Sequence, residues 1–300
     1  MSMTEPLWTT LVDAAVLAAQ LETDSLRVVD ARATASAPLR VVDARFSLGD
    51  AQAGAALYAA GHIPGAVYAD LNRDLSAPGK PAGGRHPLPD SDAFAATVGQ
   101  WGIGPDTQVV VYDAADGSMA AARLWWMLRL LGHRRVAVLD GGFAAWQNAG
   151  LAVSTAAPGQ PALGAYPGRF DSTQVASADE IAARLKHTPG WLVDARASER
   201  FRGEVEPLDP VAGHVPGAVN RPFALNVSDG RLRPAEQLRA ELQQVIGAQD
   251  PSQVVLMCGS GVTACHLLLA MEVAGLSGAR VYAGSWSGWV SDSTRPVARG

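Results

Sequence analysis

The sequence predicts an α/β protein of two tandem domains, each a mainly parallel sheet flanked by helices. Three observations predict it. Four blocks of sequence recur in the same order. Each copy alternates short apolar runs with helical patterns. The apolar runs lack the in–out alternation of a sheet with one wet face.

The blocks are plain on inspection. "VVDAR" at 41–45 returns as "LVDAR" at 192–196, and "GHIPGAVYAD" at 61–70 as "GHVPGAVNRP" at 213–222. "VVVYDAADGSMA" from 109 corresponds to "VVLMCGSGVTAC" from 254, and "RVAVLDGGFAAW" at 135–146 to "ARVYAGSWSGW" at 279–289. A unit of about 150 residues has been duplicated, which is an ordinary domain size. Residues 153–173, rich in Gly, Pro, Ala and Ser without apolar period, read as the linker. The expected domains are therefore 1–152 and 174–300.

Along the first copy, a helix is expected near 10–21. "RVVDAR" then occurs twice, at 27–32 and 40–45. The later one is favoured as the central strand, because Asp43 lies 19 residues before His62 and Asp194 lies 20 before His214. The earlier one is read as an edge strand or surface loop. In the second copy, Ser177 with Glu180 three residues on is a capping-box signal. Strands are expected at "WLVDA", "VVLM" and "ARVYA", with a helix through "TACHLLLAMEVAG".

Composition excludes several classes. The 300 residues are 48% hydrophobic and 18% charged, with net charge −5. That is no basic footprint for nucleic acid. No run is apolar enough to cross a bilayer, and no secretory pattern opens the chain, so a cytoplasmic protein is expected. The two cysteines, Cys258 and Cys265, make no disulfide framework. With His266 they also fall short of the four ligands of structural zinc. No cofactor is implied.

Cys258 closes an apolar strand, where ligands bind in open α/β sheets. Gly259, Ser260 and Gly261 follow, then a helix beginning near Val262 or Thr263. Two glycines let the backbone curl so that N–H groups face inward. With the helix N-terminus behind them they favour an anion, whether thiolate or persulfide. The competing reading is a buried packing cysteine. Cys265, inside the helix, reads as packing, with a resolving thiol as the alternative. In the first copy Asp113 stands where Cys258 stands in the second. One copy carries the thiol and the other does not.

On these residues the chain resembles the two-domain rhodanese-type sulfurtransferases, the family of thiosulfate and 3-mercaptopyruvate sulfurtransferases. "GHIPGA", "GHVPGA", "LDGGFAAW", "GSWSGW" and above all "CGSGVTAC" carry the resemblance, which spans nearly the whole chain. Thiosulfate enzymes of this family have basic residues directly after the cysteine. Gly259 and Ser260 hold those places here, as in the mercaptopyruvate type.

The resemblance implies a Cys258 persulfide, a small-molecule sulfur donor and a thiol acceptor such as thioredoxin, or cyanide. It implies substrate binding by Arg200 and Arg196 and by the loop Gly259, Gly261, Val262 and Thr263. Arginine suits a carboxylate because it binds bidentately. Arg196 is also open to a bracing role beside Asp194. By the same resemblance His62 joins Ser260 and an acidic residue in a proton relay; Asp50 is the nearest carboxylate upstream of His62 and takes the acidic place, since residues 51–60 hold none. His62 and His214 sit in matching turns, which favours a structural task for His214. Nucleic acid and membrane are not expected partners. Thiosulfate sulfurtransferase is the alternative function. A cysteine phosphatase would need arginine six positions after the cysteine, where Ala264 stands.

Overall fold

The computed structural model describes residues 8–29, 38–79, 83–159 and 162–300. They form two units: residues 1–74 with 91–170, and residues 75–90 with 171–300. The segment 75–90 thus belongs with the second copy, although it follows the first copy's "GHIPGA" turn.

In the first unit the chain runs β1 (Leu11–Val12), α1 (Ala14–Val29), β2 (Leu39–Asp43), α2 (Ala53–Ala60) and β3 (Val67–Tyr68), then α3 (Ser91–Gln100), β4 (Gln108–Tyr112), α4 (Ala120–Leu130), β5 (Val136–Leu139) and α5 (Gly142–Asn148). The strands pair in the order β1-β5-β4-β2-β3, every pairing parallel. Residues of β4 are buried throughout, as a strand covered on both faces requires.

The later "VVDAR" supplies β2, flanked by β4 and β3. Of the earlier copy, Val28 and Val29 close α1 instead of forming an edge strand. Residues 30–32 lie outside the described residues. The N-terminal helix begins later than expected, because Leu11 and Val12 add a strand to β5.

The second unit has α6 (Ala178–Ala183), β6 (Leu192–Asp194), α7 (Ser198–Arg202), β7 (Val219–Asn220), β8 (Val227–Ser228) and β9 (Arg231–Leu232), then α8 (Ala235–Ile246), β10 (Val255–Met257), α9 (Thr263–Val273), β11 (Arg280–Val281) and α10 (Ser285–Trp289). The main sheet is parallel, in the order β11-β10-β6-β7. The strand leading to Cys258 is therefore internal. Ser177 Oγ accepts the Glu180 N–H at 3.1 Å and caps α6. Glu180 does not complete the capping box. Its carboxylate goes to Arg280 and Arg184.

Beneath the sheet lie Trp191, Trp286 and Trp289, all fully buried, with Ile181, Val255 and Met257. Truncating one such tryptophan costs about 3–5 kcal/mol. Among the described residues no helix is long and apolar enough to cross a membrane.

The duplication extends to individual bonds. The Phe143 and Ala144 N–H groups donate to the carbonyls of Asp113 and Ala114, at 2.9 and 3.1 Å. Trp286 and Ser287 do the same for Cys258 and Gly259, both at 2.9 Å. In each unit, then, the loop after the internal strand is held against the start of the last helix.

Asp113 fills its loop by itself. Its carboxylate accepts N–H groups from Gly117 (2.9 Å), Met119 (3.1 Å) and Ala115 (3.4 Å). Burial nevertheless pushes its pKa from 3.8 up to about 6. The folded state therefore holds this proton more tightly than the unfolded chain does. The stability it confers is complete below pH 3.8 and is lost as pH rises through about 6. That gap corresponds to about 3 kcal/mol. Urea midpoints measured at pH 4 and pH 7 should show wild type losing about that much relative to Asp113→Asn. Equal pH slopes in the two proteins would contradict the assignment.

Candidate active site

Cys258 follows β10 directly and is 2% exposed. The turn after it is drawn tight by Gly261, whose φ is +79° and where an added Cβ would stand 2.3 Å from the Ala283 carbonyl oxygen. Only glycine meets both conditions. The Gly261 N–H consequently points back at Cys258 Sγ, 3.2 Å away. The Cys258 N–H donates to Ser285 Oγ at 3.0 Å, and that hydroxyl lies 4.0 Å from Sγ. Ser285 adopts φ +51°, which holds its side chain under the loop. Val262 caps α9 and Thr263 is its first residue, so the helix N-terminus follows the loop at once. Sulfur here meets a directed N–H and a helix start, two features that stabilise negative charge on it, while the Ser285 hydroxyl donates to the Tyr282 carbonyl at 2.9 Å.

Cys265 is fully buried and donates its S–H to the Gly261 carbonyl at 3.2 Å. It helps fix the loop from below.

Ser260 Oγ pairs with Nδ1 of His86 at 2.8 Å, and both residues are buried. The expected partner was His62. That ring is stacked on Tyr58 at 4.0 Å, with Nδ1 facing the Tyr58 carbonyl (2.9 Å) and Nε2 the Ala156 carbonyl (3.0 Å). His214 is its counterpart, stacked on Phe201 at 3.9 Å with Nδ1 at the Phe201 carbonyl. Both histidines tie the "GH" turn to a distant strand-like segment, through bridges to Ser154 and Ala298. In each unit the ring is taken up by backbone carbonyls of its own fold. Asp50 is exposed, and its carboxylate accepts the Gln52 N–H just before α2. It shapes the turn before α2.

The two substrate arginines also separate. The Arg196 side chain is 1% exposed and is held by Asp194 (2.8 Å), Glu206 (3.3 Å) and the Gly213 carbonyl (2.7 Å). Its guanidinium lies over Trp286. Arg45 makes the matching bonds to Asp43 and the Gly61 carbonyl in the first unit, over Phe143. In both copies the "DAR" arginine is held by its own aspartate and a glycine carbonyl.

Arg200, on α7, is different. Its side chain is partly exposed, paired with Glu206 at 2.6 Å and Asp209 at 3.4 Å. Burial raises the Glu206 pKa, but hydrogen bonds from Arg200 and from the Leu208 and Asp209 N–H groups outweigh it and hold it below the ordinary value.

A second cation, Arg85, was not anticipated. It pairs with Asp209, and its backbone N–H donates to Ser287 Oγ at 3.0 Å. A Cβ placed on Gly259 would stand 3.0 Å from Nη2 of Arg85 and 3.4 Å from Nη1 of Arg200. Two guanidinium groups therefore converge on the residue after the thiol. The Gly259 position has room for them because it carries no side chain.

Comparison with known proteins agrees with this geometry. The rhodanese-like domain model matches residues 13–149 and again 177–292. A probable 3-mercaptopyruvate sulfurtransferase of Pseudomonas aeruginosa is 49% identical over 267 residues, 87% of this chain and 93% of the relative. A putative thiosulfate sulfurtransferase of Mycobacterium tuberculosis is 42% identical over 268 residues, 88% of this chain and 92% of the relative. The solved 3-mercaptopyruvate sulfurtransferase from Leishmania major superposes with a TM-score of 0.78 at 32% identity, covering 93% of this chain and 73% of that one. The chain belongs to the rhodanese-like family and carries two copies of that domain, with Cys258 after the internal strand of the second copy where the first has Asp113.

Proposed function

We propose that the protein is a sulfurtransferase that moves sulfur from 3-mercaptopyruvate to a thiol acceptor through a persulfide on Cys258. The observation that carries this is the Cys258 loop: Sγ under the Gly261 N–H, with Arg85 and Arg200 at Gly259 and a hydrogen-bonded serine–histidine pair beside them.

In the first half-reaction the thiolate attacks the sulfur of the donor. An S–S bond forms and the donor's C–S bond breaks. The electron pair leaves with the three-carbon fragment as the enolate of pyruvate. The proton lost from the donor thiol ends on that carbon, giving pyruvate and leaving the persulfide anion. Ser260, positioned by His86, handles this proton. Arg200 and Arg85 orient the carboxylate. In the second half-reaction an acceptor thiolate takes the outer sulfur and restores the Cys258 thiolate. Splitting the transfer in two is the benefit of covalent catalysis.

A thiol acceptor such as thioredoxin, and a cytoplasmic setting, fit a chain with only two cysteines, neither of them in a disulfide. Thiosulfate as donor is the second reading. It is favoured by the named function of the mycobacterial relative and by the placement of two arginines at Gly259, although both are paired with carboxylates. Measuring kcat/KM on both donors decides between them. Mercaptopyruvate is expected to exceed thiosulfate by about 100-fold, which corresponds to about 3 kcal/mol of differential transition-state binding. A preference for thiosulfate would overturn the donor assignment.

A further inference from the structure

We propose that Asp209 sets the donor preference of this site, by holding Arg85 and Arg200 as a charge-balanced pair fitted to a singly charged 2-oxo carboxylate and poorly to a dianion. The inference rests on the sulfurtransferase reading above.

Three guanidinium groups and three carboxylates form one cluster. Arg196 pairs with Asp194 and Glu206, Arg200 with Glu206 and Asp209, and Arg85 with Asp209. The count is three positive against three negative. The acids lie inside: Asp194, Glu206 and Asp209 have side chains 0, 2 and 3% exposed. Arg85 and Arg200 face outward, at 30 and 18%.

Asp209 is the joint of the arrangement. One of its oxygens holds Arg85 and the other reaches Arg200, so it fixes the spacing of the two forks at Gly259. A carboxylate finds donors in a fixed geometry there. A second negative charge finds no uncompensated cation, because the buried acids already neutralise the arginines. Arg85 is in this reading a substrate-binding residue, and Asp209 a positioning residue that acts through it.

The test uses the full-length chain with mercaptopyruvate and thiosulfate as donors. It compares wild type, Asp209→Asn, Asp209→Glu and Arg85→Gln, following both kcat/KM and transfer of sulfur onto Cys258. Asp209→Asn leaves one positive charge uncompensated. The thiosulfate-to-mercaptopyruvate ratio of kcat/KM should rise about tenfold, mostly through a lower KM for thiosulfate, and should fall back with added salt. Asp209→Glu should keep a ratio near wild type. Arg85→Gln, a change at a partly exposed side chain that should not disturb folding, should raise KM for both donors about tenfold with kcat nearly kept. An Asp209→Asn ratio within about twofold of wild type, or unchanged KM values in Arg85→Gln, would overturn the inference while leaving the sulfurtransferase reading intact. If wild type moved sulfur from neither donor onto Cys258, both would fall.

Discussion

Cys258→Ser is expected to abolish sulfur transfer from either donor, with kcat lowered on the order of 10,000-fold or more. The fold should be unaffected. Oxygen replaces sulfur in a position that is already 2% exposed, and the Gly261 N–H still finds an acceptor there. What is lost is the nucleophile. A serine hydroxyl does not ionise under these conditions, and it cannot carry a second sulfur. Steady-state release of pyruvate from mercaptopyruvate is the measurement, with near-UV circular dichroism as the control for folding. Turnover near the wild-type level would remove Cys258 from the mechanism. It would not be rescued by Cys265, whose sulfur is fully buried and points at a backbone carbonyl.

The next largest effect should come from the serine–histidine pair. Ser260→Ala and His86→Gln should each lower kcat on mercaptopyruvate about 100-fold, the usual worth of a positioned proton-transfer group. KM should change little, because neither group faces the carboxylate in this account. Ser260 Oγ and His86 Nδ1 lie 2.8 Å apart and act as one unit, so the double variant should be no slower than the slower single one. Multiplicative losses would mean the two residues work independently. His62→Gln offers the contrast: it should lower stability through the lost contacts to Tyr58 and Ala156 and leave kcat near wild type.

Much of the chemistry was legible because the chain repeats. Comparing the copies isolates Cys258 against Asp113 at equivalent strand ends, and the loop glycines announce the tight turn that Gly261 makes. The parallel, doubly covered sheets follow from apolar runs without alternation. The same comparison bears on Arg196, whose aspartate and carbonyl contacts Arg45 repeats in the first unit. "DAR" occurs in both copies, as "GH" does, and a residue needed equally in a unit without the thiol serves the fold.

His86 and Arg85 escaped for the converse reason. They lie in "GGRHPLP" at 83–89, between the first copy's turn and its next helix, and the second copy holds no equivalent histidine there. By position they belong to the first repeat, yet residues 75–90 pack with the second. No local pattern reports such a long-range exchange. The available signal was their singularity: as with Cys258, no residue of the same type stands at the equivalent place of the other repeat for His86. Asp50 was chosen by nearness in sequence to His62, and proximity along a chain says little about which side chains meet.

The most direct test of the account is the mass of the protein after brief incubation with 3-mercaptopyruvate alone, followed by peptide mapping under non-reducing conditions. The account predicts a gain of one sulfur atom, located on Cys258, with one pyruvate released per chain and the gain lost on adding an acceptor thiol. Pyruvate release without added mass on Cys258, or added sulfur on Cys265 instead, would contradict it.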